Sequence, residues 1–385
     1  MRFDRVEFVA VEATPRTTWT CAVFIDTDGV TTPVEITLGD SSARVATAIS
    51  EAVERLRATE IESETDVANH VDLHKTELTR DRVRGTAVSA IRTAVIQIQA
   101  QHDNASLTEA LGGSRVASVE LYANINRSLF ATERTPASFG RVAELAAKAG
   151  FRVFKCAPFD EVRLNSPSGP ILDVAGPGLA RVAVVRQAIG PDARLLVDCH
   201  NRFRPDDAIV IAEKLAEFGV VWFEEPIGPD RTPRDLAWIA DRISMPLVAG
   251  ENEYGANSFS KLVAEGDVDV IMPDVKHCGG VAEAVRAGRA AVSANAGFST
   301  HCPSGPVSLL ASSHVSAAVE GAMPLEHAVY EVEWRAELLD PPERVEDGRL
   351  WLPNGAGLGA KLSDDAIERR GQTLVGWITG RERSE

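Results

Sequence analysis

The chain has 385 residues, of which 44% are hydrophobic and 25% are charged, and its formal net charge is −16. This length and balance exclude a disordered chain and predict two soluble domains with a sizeable core. The negative charge argues against nucleic-acid or anionic-membrane partners, because such partners are bound through basic patches.

The first residues, MRFDRVEFVAVEATP, alternate apolar and polar side chains like a β-strand. They lack the basic and then apolar regions of a secretory signal, and no stretch approaches the roughly 20 apolar residues that span a bilayer. We therefore expect a cytoplasmic protein without a membrane partner. The five cysteines form no CxxC pair, and their odd number predicts reduced thiols.

The N-terminal segment, residues 1–115, has the pattern of an α+β lobe. Three strand-like stretches come first, RVEFVAVEA, TCAVFIDTD and TPVEITLGD, with a turn at Asp28 and Gly29 before the third. Helical patterns follow near 41–60 and 82–102.

From residue 116 to 342 the pattern changes to a strand followed by a helix, repeated along the chain. The strand-like stretches are VELYANI, FRVFKCA, LLVDCH, VVWFEEP, PLVAGEN, DVIMPDV, FSTHC and MPLEHA. The predicted helices lie near 136–149, 176–189, 205–218, 233–242, 257–265, 280–294 and 304–319. Units of this kind, right-handed at each crossover, close a parallel barrel.

Two segments depart from this repeat. The stretch Pro158–Gly178 is irregular and follows the second barrel strand, where barrel enzymes place substrate loops. The tail, residues 343–385, is rich in glycine before a short helix, and we expect it to fold back on the N-terminal lobe.

Three acidic residues end three of the predicted strands: Asp198 in LLVDCH, Glu224 in VVWFEEP and Glu251 in PLVAGENE. Their spacings of 26 and 27 residues each fit one strand–helix repeat, so the carboxylates should meet at one rim of the barrel. A single acid would more simply cap a helix, but three together repel one another unless a cation bridges them. Ligands that are all oxygen favour Mg²⁺, with Mn²⁺ as a substitute, over zinc.

The next two strand ends carry Asp274, in MPDVKHCGG, and His301, in STHCPSGP, 27 residues apart. A carboxylate beside an imidazole fixes its tautomer and raises its basicity. A lone strand-end histidine is more often structural, but beside a metal cluster and an aspartate we predict His301 as a general base.

His200 lies two residues beyond Asp198, and strand alternation aims both side chains to one side. Two imidazoles facing one substrate allow one to remove a carbon-bound proton and the other to protonate a departing hydroxyl. The alternative is that His200 hydrogen-bonds a loop carbonyl.

Two more residues are candidates by position at the rim. Lys155 ends the second strand, and we predict that it either binds a substrate carboxylate or lies in solvent. Glu326, in MPLEHA on the eighth strand, is placed to hydrogen-bond an enolate oxygen opposite the cation.

The motifs VDCHNR, WFEEP, AGENE, MPDVKHCGG, STHCPSGP and PLEH occur in this order, with RGTAVSAIRTAVIQIQA before the barrel and NGAGLG after it. Together they resemble the enolase superfamily in its mandelate racemase branch. The resemblance implies an α/β fold, a modified (β/α)₇β TIM barrel over residues 116–342. It also implies an α+β capping domain formed by residues 1–115 and completed by residues 343–385.

The resemblance implies one Mg²⁺ per subunit, held by Asp198, Glu224 and Glu251, with the first glutamate of EEP as the ligand. The implied chemistry is removal of the proton α to a carboxylate, giving an enediolate that the metal stabilises. A small-molecule carboxylate is therefore the expected partner, and the family implies a homo-oligomer, either a dimer or an octamer.

The second strand departs from the pattern of the family's racemases. Those enzymes carry Lys-x-Lys there, with the second lysine as a base, whereas this chain has Lys155-Cys156-Ala157. Ala157 cannot accept a proton. A racemase needs a base on each face of its substrate, so simple proton transfer is disfavoured unless His200 substitutes.

The Asp198-x-His200 arrangement resembles instead the D-galactonate and D-mannonate dehydratase-type acid-sugar dehydratases. This resemblance implies that His301, oriented by Asp274, takes the C2 proton while Mg²⁺ and Glu326 stabilise the enediolate. His200 then acts as general acid on the C3 hydroxyl, and tautomerisation yields a 2-keto-3-deoxy acid. The leading hypothesis is a Mg²⁺-dependent hydro-lyase acting on a sugar acid.

Two alternatives stay open. One is an isomerase of the same superfamily, a racemase, epimerase or cycloisomerase, acting on a hydroxy, amino or lactone acid, with Lys155 as a base if the strand register shifts by two residues. The other is a protein that holds the metal and binds a carboxylate without turning it over. Fold and motifs do not name the substrate, because loops set specificity.

Overall fold

The N-terminal lobe is built on an antiparallel sheet. The computed structural model describes residues 1–71, 78, 81–130, 133–163, 169–228 and 231–373. Three strands run in succession: β1 (Phe3–Thr14), β2 (Thr17–Asp26) and β3 (Thr31–Glu35). At the predicted turn before β3, Gly29 has φ +83° and the Asp26 carboxylate accepts the Val30 N–H at 2.8 Å.

Helices follow this sheet along the chain. Within the described residues they are α1 (Ser42–Leu56), α2 (Asp66–His70), α3 (Arg82–His102) and α4 (Leu107–Ala110). Helices α1 and α3 correspond to the two helices predicted for the lobe. Phe24 of β2, Ile49 of α1 and Ile91 of α3 are fully buried in one apolar core, which joins the sheet to the helices.

Eight parallel strands form the barrel. They are β4 (Ser118–Asn124), β5 (Val153–Cys156), β6 (Arg194–Asp198), β7 (Val220–Glu224), β8 (Leu247–Ala249), β9 (Val270–Ile271), β10 (Gly297–Phe298) and β11 (Leu325–Ala328). Neighbours from β4 to β10 pair in sequence order, and β11 pairs in parallel with β4. Between β10 and β11 the Met323 N–H donates to the Phe298 carbonyl at 2.8 Å, which closes the ring.

A helix follows each of the first seven barrel strands. These helices are α5 (Pro136–Lys148), α6 (Ile171–Ile189), α7 (Pro205–Glu217), α8 (Pro233–Ala240), α9 (Ala256–Gly266), α10 (Val281–Ser293) and α11 (Pro306–Ala318). Strand β11 leads instead into a short 3₁₀ helix, Arg335–Leu338. The architecture is a (β/α)₇β barrel with an α+β capping lobe, and the predicted fold class is confirmed.

One barrel helix begins earlier than predicted. Helix α6 starts at Ile171 rather than near residue 176, so that Pro177 lies inside it. Proline is disfavoured inside a helix because it has no N–H to donate, and the sequence pattern therefore suggested a later start. The irregular stretch predicted for Pro158–Gly178 is correspondingly shorter, and its residues 164–168 lie outside the described part of the chain.

The C-terminal tail contacts both the barrel and the N-terminal lobe. Strand β12 (Leu339–Asp340) precedes the tail, whose elements are β13 (Arg344–Glu346), β14 (Arg349–Trp351), β15 (Lys361–Leu362), α12 (Asp364–Arg370) and β16 (Gly371–Thr373). The hairpin of β13 and β14 pairs antiparallel with the start of β4 in the barrel. Strand β16 pairs antiparallel with β1 of the N-terminal lobe.

Two expectations about composition can be compared with the structure. None of the helices in the described ranges is long and apolar enough to cross a membrane. All five cysteines are buried and none forms a disulfide, which agrees with the predicted reduced thiols.

Candidate active site

The barrel interior is layered. An apolar layer consists of Tyr122, Val153, Leu196, Trp222, Val248, Val270 and Met272. Side chains alternate along a strand, so the residues two positions further along point into the same interior, nearer the C-terminal rim. On four strands these residues are Asn124, Lys155, Asp198 and Glu224, each at most 4% exposed. These residues form a buried polar layer next to the apolar layer, which we call the barrel floor.

Glu224 is fully buried, and both of its carboxylate oxygens are hydrogen-bonded. The Lys155 ammonium donates to Oε1 at 2.7 Å, and the Trp222 indole N–H donates to Oε2 at 2.8 Å. Glu224 is also the register partner of Asp198 across the β6–β7 pair. Two of the three predicted metal ligands therefore lie side by side.

The second glutamate of the EEP motif faces different groups. Glu225 has φ +39°, lies 3.0 Å from the Arg231 guanidinium and accepts the Gly250 N–H at 2.8 Å. Burial raises the pKa of Glu225 to about 7 although Arg231 opposes this shift. Of the two glutamates, only Glu224 belongs to the polar layer.

Lys155 and Glu326 form a completely buried ion pair. Lys155 Nζ lies 2.7 Å from an oxygen of Glu326 as well as from Glu224. Glu326 also accepts the Asn124 amide N–H at 2.7 Å and the Cys302 backbone N–H at 2.8 Å. Burial opposes the charge of Glu326, but Lys155 holds its pKa below the usual value.

This geometry differs from one prediction and leaves another open. The alternative in which Lys155 lies in solvent is wrong, because its side chain is 0% exposed and surrounded by acceptors of the chain itself. A hydrogen bond between Glu326 and an enolate oxygen stays a prediction; in the structure both of its oxygens accept hydrogen bonds from the chain. Strand position indicated that both residues are at the rim, but it could not indicate that they pair with each other.

His200 contacts Asp198, but not through strand alternation. Strand β6 ends at Asp198, and His200 and Asn201 have φ of +49° and +59°. The prediction that His200 extends from the same strand face is therefore wrong, because the left-handed backbone turns the chain. The turn still places His200 Nε2 2.9 Å from an Asp198 oxygen, with the imidazole 47% exposed. The Asp198 charge raises the pKa of His200.

His301 and Asp274 meet just beyond the ends of β10 and β9. His301 Nδ1 lies 3.0 Å from Asp274, and Nε2 lies 3.1 Å from Glu251. The Lys276 ammonium donates to the same Asp274 oxygen at 2.7 Å and to the Ser304 hydroxyl at 2.6 Å. The imidazole therefore contacts a carboxylate at each nitrogen, and the Asp274 carboxylate is itself held by Lys276.

Negative charge is in excess in this cluster. Burial, opposed by Lys155 and supported by Asp198, raises the pKa of Glu224 to about 8. Burial lowers the pKa of His301, but Glu251, Glu326 and Asp274 together outweigh burial and raise that pKa to about 10. Asp198 and Glu326 raise the pKa of Glu224 in addition to burial, and carboxylates that repel one another in this way favour an added cation.

Asp198, Glu224 and Glu251 offer only oxygen donors from three successive strands, which fits Mg²⁺ or Mn²⁺. In the described structure, no set of one ligand atom from each has all its members within 4.8 Å of one another. Each carboxylate is paired instead with a cationic side chain of the site, with which a divalent cation would compete. Among the described residues, the group that meets this distance is remote from the barrel rim: Asp26, Asp28 and His102.

Sequence reasoning missed the contribution of two side chains to this site. The signal for Trp222 is its place two residues before Glu224, which gives both side chains the same strand face. The signal for Asn126 is weaker, because its amide acts between strands: it donates to Asn124 at 2.7 Å and accepts the Ala157 N–H at 2.6 Å. Ala157 is thus buried and hydrogen-bonded through its backbone to Asn126.

Lys155→Met is expected to destabilise the fold. Removing one partner of a buried ion pair leaves an uncompensated charge, so the free energy of unfolding should fall by about 3–5 kcal/mol. Urea denaturation followed by circular dichroism measures this loss. The matched control is Lys148→Met, because Lys148 is 69% exposed and should contribute little. Equal stability of the two variants would contradict the assignment of Lys155 as an internal cation.

The sequence is similar to a known protein family and to several named enzymes. Residues 139–366 match the family described as Enolase C-terminal domain-like. A D-xylonate dehydratase of Haloferax volcanii is 26% identical over an alignment that covers 75% of this chain and 71% of that protein. A D-gluconate dehydratase of Thermoproteus tenax is 30% identical, covering 76% of this chain and 57% of that protein. A D-galactarolactone cycloisomerase of Agrobacterium fabrum is 28% identical, covering 73% of each chain.

Solved structures share the fold along nearly the whole chain. A mandelate racemase/muconate lactonizing enzyme from Jannaschia sp. superimposes with a TM-score of 0.84 at 22% identity, covering 99% of both chains. A member of the enolase superfamily from Salmonella Typhimurium superimposes with a TM-score of 0.80 at 20% identity, covering 96% of this chain and 99% of that one. At this identity the likeness concerns the barrel and its capping lobe.

Proposed function

The chain belongs to the Enolase C-terminal domain-like family, and from that premise we propose that it is a Mg²⁺-dependent dehydratase of acid sugars. The observation that carries the proposal is the placement of its two rim histidines. His200 follows β6 and His301 follows β10, four strands apart in a ring of eight, so the imidazoles stand on opposite sides of the barrel mouth. Relatives named as dehydratases of D-xylonate and D-gluconate support the same reaction class.

His301 is the general base of this proposal. Its Nδ1 is held by Asp274, so the nitrogen left to accept the C2 proton of the substrate is Nε2. In the structure Nε2 faces Glu251 at 3.1 Å, and the Glu251 charge is the main cause that raises the pKa of His301. A cation bound by Glu251 would oppose this contribution and lower the pKa of His301, which favours its action as a base.

Asp198, Glu224 and Glu251 are the residues that would hold the cation. When bound, Mg²⁺ neutralises the negative charge that develops on the substrate carboxylate as the α-proton leaves. Lys155, Glu326 and Asn124 do not contact the substrate in this proposal. They form the buried network that keeps Glu224 in place and seats Glu326 against the Cys302 N–H, next to His301.

His200 is the general acid. It is the more exposed of the two histidines, and the Asp198 charge favours its protonated form. The electron pair left at C2 forms the C2–C3 double bond as the C3–O bond breaks, and the proton from His200 converts the leaving hydroxyl to water. The resulting enol then loses the hydroxyl proton at C2 and takes a proton at C3 to give the 2-keto-3-deoxy acid. Atoms balance as substrate to keto acid plus water.

A cycloisomerase is the second candidate function. A relative named D-galactarolactone cycloisomerase, at 28% identity, favours it. The residues are compatible because opening or closing a ring next to an abstracted proton also needs a single base. The two reactions differ in mass balance: dehydration releases water, whereas isomerisation leaves the mass of the substrate unchanged. Mass spectrometry of the product therefore separates them.

His200→Asn is expected to separate proton abstraction from water loss. Loss of a general acid should slow elimination by about 10²–10⁴-fold, while His301 continues to exchange the C2 proton with solvent. Proton NMR in D₂O follows both events in one sample, as loss of the C2 signal and growth of the keto acid. Water loss at the wild-type rate would contradict the role of His200.

A further inference from the structure

A tryptophan in the barrel floor donates a hydrogen bond to one of the proposed metal ligands. Trp222 Nε1 lies 2.8 Å from Glu224 Oε2, while Lys155 donates to the other oxygen at 2.7 Å. Trp222 is 2% exposed and Glu224 is 0% exposed, so water does not compete with either bond. A hydrogen bond to a charged group inside a protein is among the stronger ones.

The position of the indole is fixed by its surroundings. Trp222 lies in the apolar layer, where its ring meets that of Tyr122 edge to face, with centroids 6.1 Å apart. Because Trp222 and Glu224 are two residues apart on β7, both side chains enter the barrel on the same face. The packing of Trp222 in the barrel floor thus orients its indole N–H towards the Glu224 carboxylate.

This arrangement leaves Glu224 able to bind a cation. Each carboxylate oxygen has two lone pairs, and one donor on each oxygen leaves the other lone pairs available. The indole N–H is a donor only, so it cannot itself replace the carboxylate as a ligand. Side chains that orient a metal ligand typically change metal affinity by about 10–100-fold when removed.

We propose that Trp222 is a positioning residue for the metal centre, which aims the Glu224 carboxylate through its indole N–H. The inference rests on the metal site of the proposed function and adds a residue to it. A purely space-filling role for Trp222 is the competing explanation. The two differ in what Trp222→Phe does, because phenylalanine keeps an aromatic ring in the apolar layer and removes the N–H.

The test measures binding of Mn²⁺ alone, as the loss of its free-ion signal in electron paramagnetic resonance, with no substrate present. Trp222→Phe is expected to raise the Kd for Mn²⁺ by about 10–100-fold. The matched control is Trp19→Phe: Trp19 is 1% exposed, and its indole N–H has no hydrogen-bond partner among the described residues. That variant should leave the Kd within twofold of wild type. The thermal midpoint of each variant reports whether its packing is intact.

The Mg²⁺ dependence of turnover is a second measurement, and a change in packing alone would not alter it. The Trp222→Phe enzyme should need more Mg²⁺ for half-maximal activity and regain most of its kcat at saturating Mg²⁺, with an unchanged KM for the organic substrate. An unchanged Kd for Mn²⁺ in Trp222→Phe, or an equal loss in Trp19→Phe, would overturn the inference. A wild-type protein that binds no Mn²⁺ would also overturn it. If the expected Kd changes occur in a protein that dehydrates no acid sugar, the inference stands and the proposed reaction fails.

Discussion

Replacing His301 by asparagine is expected to abolish both water loss and exchange of the C2 proton with solvent. The imidazole lies 3.0 Å from Asp274 through Nδ1, which leaves Nε2 as its proton-accepting atom. Asparagine has similar bulk near the backbone but cannot accept a proton near neutral pH. A positioned general base contributes about 10²–10⁴-fold to rate, and kcat should fall by at least that factor.

Deuterium incorporation at C2 is the readout for this variant, because it reports abstraction directly and does not depend on later steps. The control is His102→Asn, which changes a histidine in the N-terminal lobe, where His102 contacts Asp26 at 2.7 Å. That variant should exchange and dehydrate like wild type. If His301→Asn still exchanged the C2 proton at the wild-type rate, another residue would be the base and the assignment of the dyad would fail.

Removing the divalent cation is expected to have an effect at least as large. The α-proton of a carboxylate is too weakly acidic for an imidazole unless the charge that develops on the carboxylate is neutralised. We therefore expect metal-free protein to show no detectable turnover, and added Mg²⁺ or Mn²⁺ to restore it. Zn²⁺ should restore it poorly, because Asp198, Glu224 and Glu251 provide only oxygen donors.

The measurement compares turnover after dialysis against a chelator with turnover after each metal is returned, while the metal content of the protein is determined directly. Circular dichroism of the metal-free protein shows whether the chain is still folded. The variant Glu251→Gln should also lower turnover, because it removes the charge of one ligand and should weaken binding of the cation. Full turnover by a protein shown to contain no metal would contradict the proposed chemistry.

The barrel could be predicted from sequence because its period is simple. Each of the first seven apolar stretches is followed by a helical one, and the structure has the corresponding strand and helix in each of these repeats. The difference is α6, which was predicted near 176–189 but begins at Ile171, so that Pro177 lies inside it. The positions of Asp198 and Glu224 followed from the same period, since both end their strands.

Side-chain partners were not predictable in the same way. Strand position indicated that Lys155 and Glu326 reach the rim, but their mutual contact depends on strands β5 and β11, which lie far apart in sequence. The approach of His200 to Asp198 depends on a left-handed backbone at His200 that strand alternation does not describe. The hydrogen bond from Trp222 combines an apolar position with a polar atom, and hydrophobic patterning treats the whole side chain as apolar.

The tail illustrates the same limit at the scale of the fold. Its glycine-rich composition indicated a return of the chain towards the N-terminal lobe, and β16 does pair with β1. The hairpin Arg344–Trp351 pairs instead with the start of β4, at the other end of that strand from Asn124. Composition suggests that a segment folds back, but it does not indicate which strand the segment pairs with. The hairpin pairs with residues 118–120 of β4, whereas β5 and β11 pair with residues 121–124 of that strand.

Dehydration of an acid sugar can be measured by a screen of the purified protein with Mg²⁺ against a library of such acids. Semicarbazide absorbance reads the 2-keto-3-deoxy product. We predict keto-acid formation from at least one aldonate, dependent on both the protein and the metal. The contradicting result is no keto acid from any member of the library, together with deuterium incorporation into a hydroxy, amino or lactone acid without loss of water.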